Sequence, residues 1–369
     1  MAVSQSSYRG CLLGLAVGDA MGYTVDNRSW QEIQEDYGPN GLLGYDLVNG
    51  YADVTSYTQL AAFTCNGLLF GLTRGQMLGK MAPFIKYVGM SSREWAASQR
   101  PWGRPIRNYC WLLRKAELCR RHCMDTRMLD TLSRPALGTP ETPANNYDSP
   151  GGITTAIGVG LFFHEDRTDQ HEIDLLGAEA VALTQGSPSA FLSGAVLAHI
   201  MSRLIRQPHL PLKRLGEQFG HQYSQAFEVA TLVRHAITYS ESPNLSPVDV
   251  MERLGCDSAA QVLAGAIYTC LTNSADFDSA MIAAVNHSGR SAAETSPSWP
   301  RGPRRRRLSG GAAGRGSPAG LLYRVPGACR GSAGAGGRPV HRLSHGAGQQ
   351  AVRSGLGLQV PPRRTVNRT

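Results

Sequence analysis

The sequence predicts an all-α fold, a compact single-domain multi-helix bundle spanning residues 1–293. Three observations predict it. Apolar residues recur at helical spacing in one run after another, no stretch alternates long enough to make a half-buried sheet, and no internal repeat of fixed period is present. With 369 residues and 42% hydrophobic content, the chain has the material for a large core.

The elements follow in order. Residues 8–22 carry an apolar face of Leu12, Leu13, Leu15 and Ala16, with Gly14 and Gly18 small enough for close helix contact. Further helices are predicted at 59–72, 76–88, 106–122, 151–163, 174–184, 188–205, 224–240, 259–272 and 276–287. Pro and Gly clusters separate them, the longest being "RPALGTPETPANNYDSPGG" from Arg134 to Gly152. The N-terminal apolar run is interrupted by Arg9, Asp19 and glycines and has no basic segment ahead of it. No stretch approaches the roughly 20 apolar residues that span a bilayer, so the expectation is a cytoplasmic protein without a membrane partner. Eight cysteines show no small-scaffold spacing and are expected as reduced core thiols. The spacing in "CRRHC" puts Cys119 and Cys123 on one helical face, but no second ligand pair stands at zinc spacing.

The net charge of +9 is carried by the C-terminal end. Residues 295–369 hold fourteen arginines and no Lys, Asp or Glu, so residues 1–294 sum to 9 − 14 = −5. This tail also lacks Ile, Phe and Met and is dominated by Gly, Ala, Pro, Ser and Arg, residues with GC-rich codons. Such a segment cannot bury enough surface to offset its ordering entropy, and disorder is predicted for 294–369. The run Arg301–Arg307 would bind nucleic acid only if the tail is genuine. The abrupt change of composition points instead to an out-of-frame reading of a GC-rich gene.

Several motifs occur in collinear order over the first 290 residues. They are "YRGCLLGLAVGDAMGYTVD" (Tyr8–Asp26), Thr55–Leu60 followed by "AAFTCNGLLFG", "SPGGITTAIGVGLFF", "ALTQGSPSAFLSGAVLAHIMS" and "AAVNHSG" (Ala283–Gly289). Together they resemble the ADP-ribosylglycohydrolase family, which includes dinitrogenase-reductase-activating glycohydrolase and the jellyfish J-crystallins. The resemblance implies a helical fold, an ADP-ribose ligand or a related nucleotide, and two magnesium ions. It implies metal ligands from a Thr-Asp-Asp helix start and from an Asp-x-Asp element near the C-terminus, because hard cations need several oxygen ligands.

This chain departs from that pattern at the chemistry. Thr55 is retained as a vestige, but Ser56 and Tyr57 stand at the first pair of carboxylate positions, and Arg290 and Ala292 at the second. Nothing then offsets the dehydration of magnesium, and Arg290 places positive charge where dications would stand. No bound cofactor is expected. Gly151 and Gly152 lead into Thr154 and Thr155, a candidate loop for the ADP-ribose phosphates; the alternative is a plain turn with capping threonines. Asp26 stands where the family has Glu and is a weak catalytic candidate, with a solvated helix cap as its alternative. Asp19 reads as a buried structural acid bonded to backbone amides, with an orienting role beside the cation region as the alternative, His199 as a core histidine rather than a ligand, and His287 either as part of the metal segment or as a helix C-terminal cation. Three functions follow: a catalytically degenerate homologue keeping a weakened ADP-ribose-like cleft, a glycosidic-bond hydrolase with a reduced metal site, and a structural or interaction protein with no cleft ligand.

Overall fold

The computed structural model describes residues 3–47, 50–100, 109–121, 125–163, 168–207, 210–216 and 226–289. Among these the regular structure is helical, and extended pairing is confined to Asp46 and Tyr51. The all-α fold is thus present as predicted. The tail expected from residue 294, together with Arg290, Ala292 and Cys123, lies outside the described residues.

Helix α1 (Gln5–Gly22) starts at Ser4, whose hydroxyl accepts from Ser7 N. Helix α2 (Trp30–Tyr37) was not predicted. It is too short for a clear apolar period, yet Ser29 and Glu32 form a reciprocal capping box that marks its start. Helix α3 (Ser56–Leu78) is longer than the predicted 59–72, because Thr55 caps it earlier and it ends only at Gly79, whose φ of 63° is the left-handed conformation of a C-cap. The predicted helix 76–88 therefore does not exist as one element. Its first turn belongs to α3, and α4 (Phe84–Ser98) begins after Pro83, which supplies no backbone N–H.

The predicted helix 106–122 is also corrected. Its described part is a tight turn (Trp111–Arg114) and a single-turn helix α5 (Ala116–Cys119), after which Arg120 is extended. Tertiary bonds explain this. The buried carboxylate of Glu94 on α4 accepts from Tyr109 N at 3.0 Å and Cys110 N at 2.9 Å, while Gln59 on α3 donates to Arg120 O at 2.8 Å. These bonds from α3 and α4 anchor the main chain at 109–110 and at 120. The shared helical face expected of Cys119 and Cys123 involves Cys123, which lies outside the described residues.

Beyond lie α6 (Thr126–Leu132), capped by Asp125 and unpredicted, and α7 (Thr155–Phe162), which follows the turn Pro150–Gly152. Then come α8 (Gln170–Ala182), α9 (Pro188–Arg206), α10 (Phe227–Ser240), the unpredicted α11 (Pro247–Leu254), α12 (Ala259–Thr272) and α13 (Phe277–Val285). Helix α12 has the predicted bounds, and α11 carries Ser246 as cap and Pro247 at its first position.

The main core is built by α3, α4, α7, α8, α9, α10 and α12 around Phe63, Leu68, Trp95, Ile157 and Leu197. A second cluster joins Met21, Val25 and Ile33 to Ala280, Met281 and Val285, fastening the ends of α1 and α2 to α13. Helices α8 and α9 touch backbone to backbone. A Cβ on Gly177 would stand 2.8 Å from Gly194 O and 2.6 Å from Ala198 Cβ. Helix α9 corrects a further expectation, since its 19 residues are long and apolar enough to cross a membrane; 78% of that stretch is buried inside the protein, as in a core helix. The described cysteines Cys11, Cys65, Cys110, Cys119, Cys256 and Cys270 are thiols. Burial pushes Cys65 up to about 11 and Cys110 up to about 12, which keeps these thiols protonated and inert.

Candidate functional site

The start of α3 is organised by a carboxylate from α1. Asp19 is 1% exposed in the last turn of α1. Its Oδ2 accepts from Thr55 N at 2.8 Å, Thr58 N at 3.1 Å and Thr58 Oγ1 at 2.6 Å, and its Oδ1 accepts from Thr55 Oγ1 at 2.6 Å. The first amides of a helix have no partner within it, and here an acid from another element satisfies two of them. Burial pushes the Asp19 carboxyl above its ordinary range, opposed by the hydrogen bonds of Thr55 and Thr58. Four donors address a carboxylate that has about four lone-pair positions. Asp19 is therefore the structural acid the sequence suggested.

Thr55 is the N-cap, its hydroxyl accepting from Tyr57 N at 3.3 Å. Ser56 is buried at the first position of α3 and Tyr57 is half-buried at the second. The glycine turn meets them from the other side, because Thr154 Oγ1 donates to Tyr57 O at 3.1 Å. Thr155 Oγ1 turns inward to Gly152 O at 2.8 Å, and both threonines are buried. The glycines are required by close approach. A Cβ on Gly151 would lie 2.8 Å from Met128 Sδ, and one on Gly152 would lie 2.5 Å from Gln185 Cγ.

Loop 145–149, leading into this turn, is held by side chains that the sequence reading did not single out. Asn145 donates to Thr184 O at 3.0 Å and accepts from Gly186 N at 2.8 Å. Asp148 accepts from Ser187 Oγ at 3.0 Å and from Ala259 N at 3.1 Å, joining the starts of α9 and α12. Gln185 accepts from Ser149 N at 3.1 Å. No sequence spacing announces these bonds, since their partners lie between 36 and 111 residues away.

Asp26 sits half-buried in the turn after α1, beside Asn27, which has a left-handed φ of 60° and donates to Asp26 Oδ2 at 3.0 Å. His199 is a buried core histidine, its Nδ1 3.1 Å from both oxygens of Asp174. His287 places Nε2 3.0 Å from Ala284 O in the last turn of α13, as suits a helix C-terminal donor. Asp53, two residues before the α3 cap, pairs with Arg120 at 2.5 Å. Among the described residues no group of three or more His, Cys, Asp or Glu side chains gathers where it could hold a metal ion.

Fold and site together define an all-helical domain in which a Gly-Asp-Ala helix, a Thr-x-x-Thr helix start and a glycine turn converge. The family model for ADP-ribosylglycohydrolase matches residues 2–295, and the chain belongs to this family. A search of curated proteins found no match.

Proposed function

We propose that this chain is a catalytically degenerate member of the ADP-ribosylglycohydrolase family that keeps an ADP-ribose-like cleft at the start of α3. The observation that carries the reading is the chemistry of the oxygens there. A pair of divalent ions needs several carboxylate oxygens. At the α3 start Asp19 is occupied by four donors, Asp53 is paired with Arg120, and the two positions after Thr55 offer a serine and a tyrosine. These donors do not fit two magnesium ions. Gly151, Gly152, Thr154 and Thr155, the candidate phosphate loop, are buried behind the α3 start, and both threonine hydroxyls bond to main-chain carbonyls. Asp26, which stands where the family has Glu, remains the weak catalytic candidate. We also propose that residues 1–293 form one domain.

The test is a magnesium or manganese titration by calorimetry together with an ADP-ribosyl-arginine turnover assay. We expect no metal affinity tighter than about millimolar, a free energy of roughly −4 kcal/mol, and no release of ADP-ribose. Two tight metal equivalents, or magnesium-dependent release at about one turnover per second, would overturn the proposal.

A further inference from the structure

We propose that Arg120 is the anion-recognising group of this cleft, a resident guanidinium that holds a phosphate of the ligand without a metal ion. The inference rests on the reading that the cleft takes a phosphorylated, ADP-ribose-like ligand, and it adds the residue that recognises the charge. The sequence placed Arg120 inside a helix within "CRRHC"; the structure brings it to the mouth of α3.

Its position is set by buried bonds. Gln59, fully buried in the first turn of α3, accepts from Trp95 Nε1 at 3.0 Å and donates to Arg120 O at 2.8 Å. The preceding carbonyl, Cys119 O, accepts from Gln99 Nε2 at 3.4 Å. Backbone pinned in this way reduces the ordering cost of binding. The guanidinium then reaches the segment before the helix cap, where Nη1 bonds Asp53 Oδ2 at 2.5 Å.

Two other arginines, Arg127 and Arg93, are committed elsewhere. Arg127 spends Nε and Nη2 on Asp125 and lies 5.0 Å over the Tyr147 ring, and Arg93 donates to the carbonyls of Leu132, Arg134 and Pro135. Among the described residues Arg120 bonds through Nη1, to Asp53, and its side chain is 60% exposed. Nε and Nη2 therefore remain for a phosphate, whose geometry the planar fork matches in bidentate fashion. Ser56 and Tyr57 bring no negative charge that would repel such an anion. Asp53 then acts as the competitor that moderates affinity.

The experiment measures binding of pyrophosphate and of ADP-ribose to the full chain in EDTA, for the parent, Arg120→Ala, Arg120→Lys and Asp53→Asn. We expect both probes to bind the parent, Arg120→Ala to weaken both at least tenfold, and Arg120→Lys to recover only part of the loss. Asp53→Asn keeps an acceptor for Val54 N but releases the guanidinium, and it should tighten binding severalfold. A merely structural ion pair would give two losses, so the opposite signs are diagnostic. ADP-ribose bound equally by parent and Arg120→Ala overturns the role of Arg120 and leaves the cleft reading standing. Arg120-dependent pyrophosphate binding with ADP-ribose no tighter overturns the ADP-ribose reading and upholds the anion site. No binding of either probe to the parent overturns both.

Discussion

Replacing Asp19 with Ala tests how much of the site depends on one buried side chain. The substitution removes the acceptor for Thr55 N, Thr58 N and two threonine hydroxyls. The hydroxyls can rotate to other partners, whereas the two amides sit in the first turn of α3 and have no carbonyl ahead of them. A buried donor left unsatisfied costs about 1–3 kcal/mol, so two cost about 4 kcal/mol. Loss of the negative charge at the helix start adds up to about 2 kcal/mol, offset by no longer burying a carboxylate. The expected net loss is about 4 kcal/mol, a large part of the roughly 5–15 kcal/mol that holds a domain folded. Urea unfolding followed by circular dichroism should place the midpoint about 1–2 M below that of the parent. Thr58→Val, which removes one hydroxyl and keeps the shape, should cost about 1–2 kcal/mol. If Asp19→Ala stays within about 1 kcal/mol of the parent, the carboxylate does not organise α3 and the account of the cleft is wrong.

Other expectations concern packing, pH and the tail. Gly177→Ala forces a methyl group against Gly194 O and Ala198 on α9 and should destabilise by about 1–3 kcal/mol, whereas Gly79→Asn at the exposed left-handed cap should cost far less in the same thermal melts. Burial, helped by the charge of Glu141, pushes Glu179 from its ordinary 4.5 up to about 7. The folded state then holds a proton that the unfolded chain releases between these pH values, so stability falls as pH rises from about 4.5 to 7. At about 1.4 kcal/mol per pH unit the ceiling is about 3 kcal/mol. Glu179→Gln should flatten this fall, and identical pH profiles would contradict it. For residues 294–369, hydrogen exchange at unprotected rates is expected, and a one-base shift near the Ala293 codon should open a frame encoding an apolar, Ala- and Gly-containing helix. Protection of the arginine-rich segment would mark it as an evolved part of the fold.

Much of the helical architecture could be read from local chemistry. Helix α12 has its predicted bounds because Ser258 and Gln261 form a capping box ahead of a continuous apolar run. Short α2, α6 and α11 escaped the periodicity argument, although Ser29 with Glu32, Asp125, and Ser246 with Pro247 mark their starts. The segment 109–121 was misread for a different reason. Its apolar spacing is helical, but Glu94, Gln59 and Gln99 bond its main chain at 109–110 and 119–120 and hold it to α3 and α4. Local propensity is worth tenths of a kcal/mol per residue, and buried bonds from other elements outweigh it.

The sequence by itself determined the fold class, the family and the serine and tyrosine that follow Thr55, since these depend on residue identity and spacing along the chain. Tertiary structure decided which groups share a site. Asp19 meets Thr55 across 36 residues, Thr154 meets Tyr57 across 97, and Arg120 meets Asp53 across 67. Contacts between residues so far apart follow from how helices pack, which the order of residues along one helix does not encode.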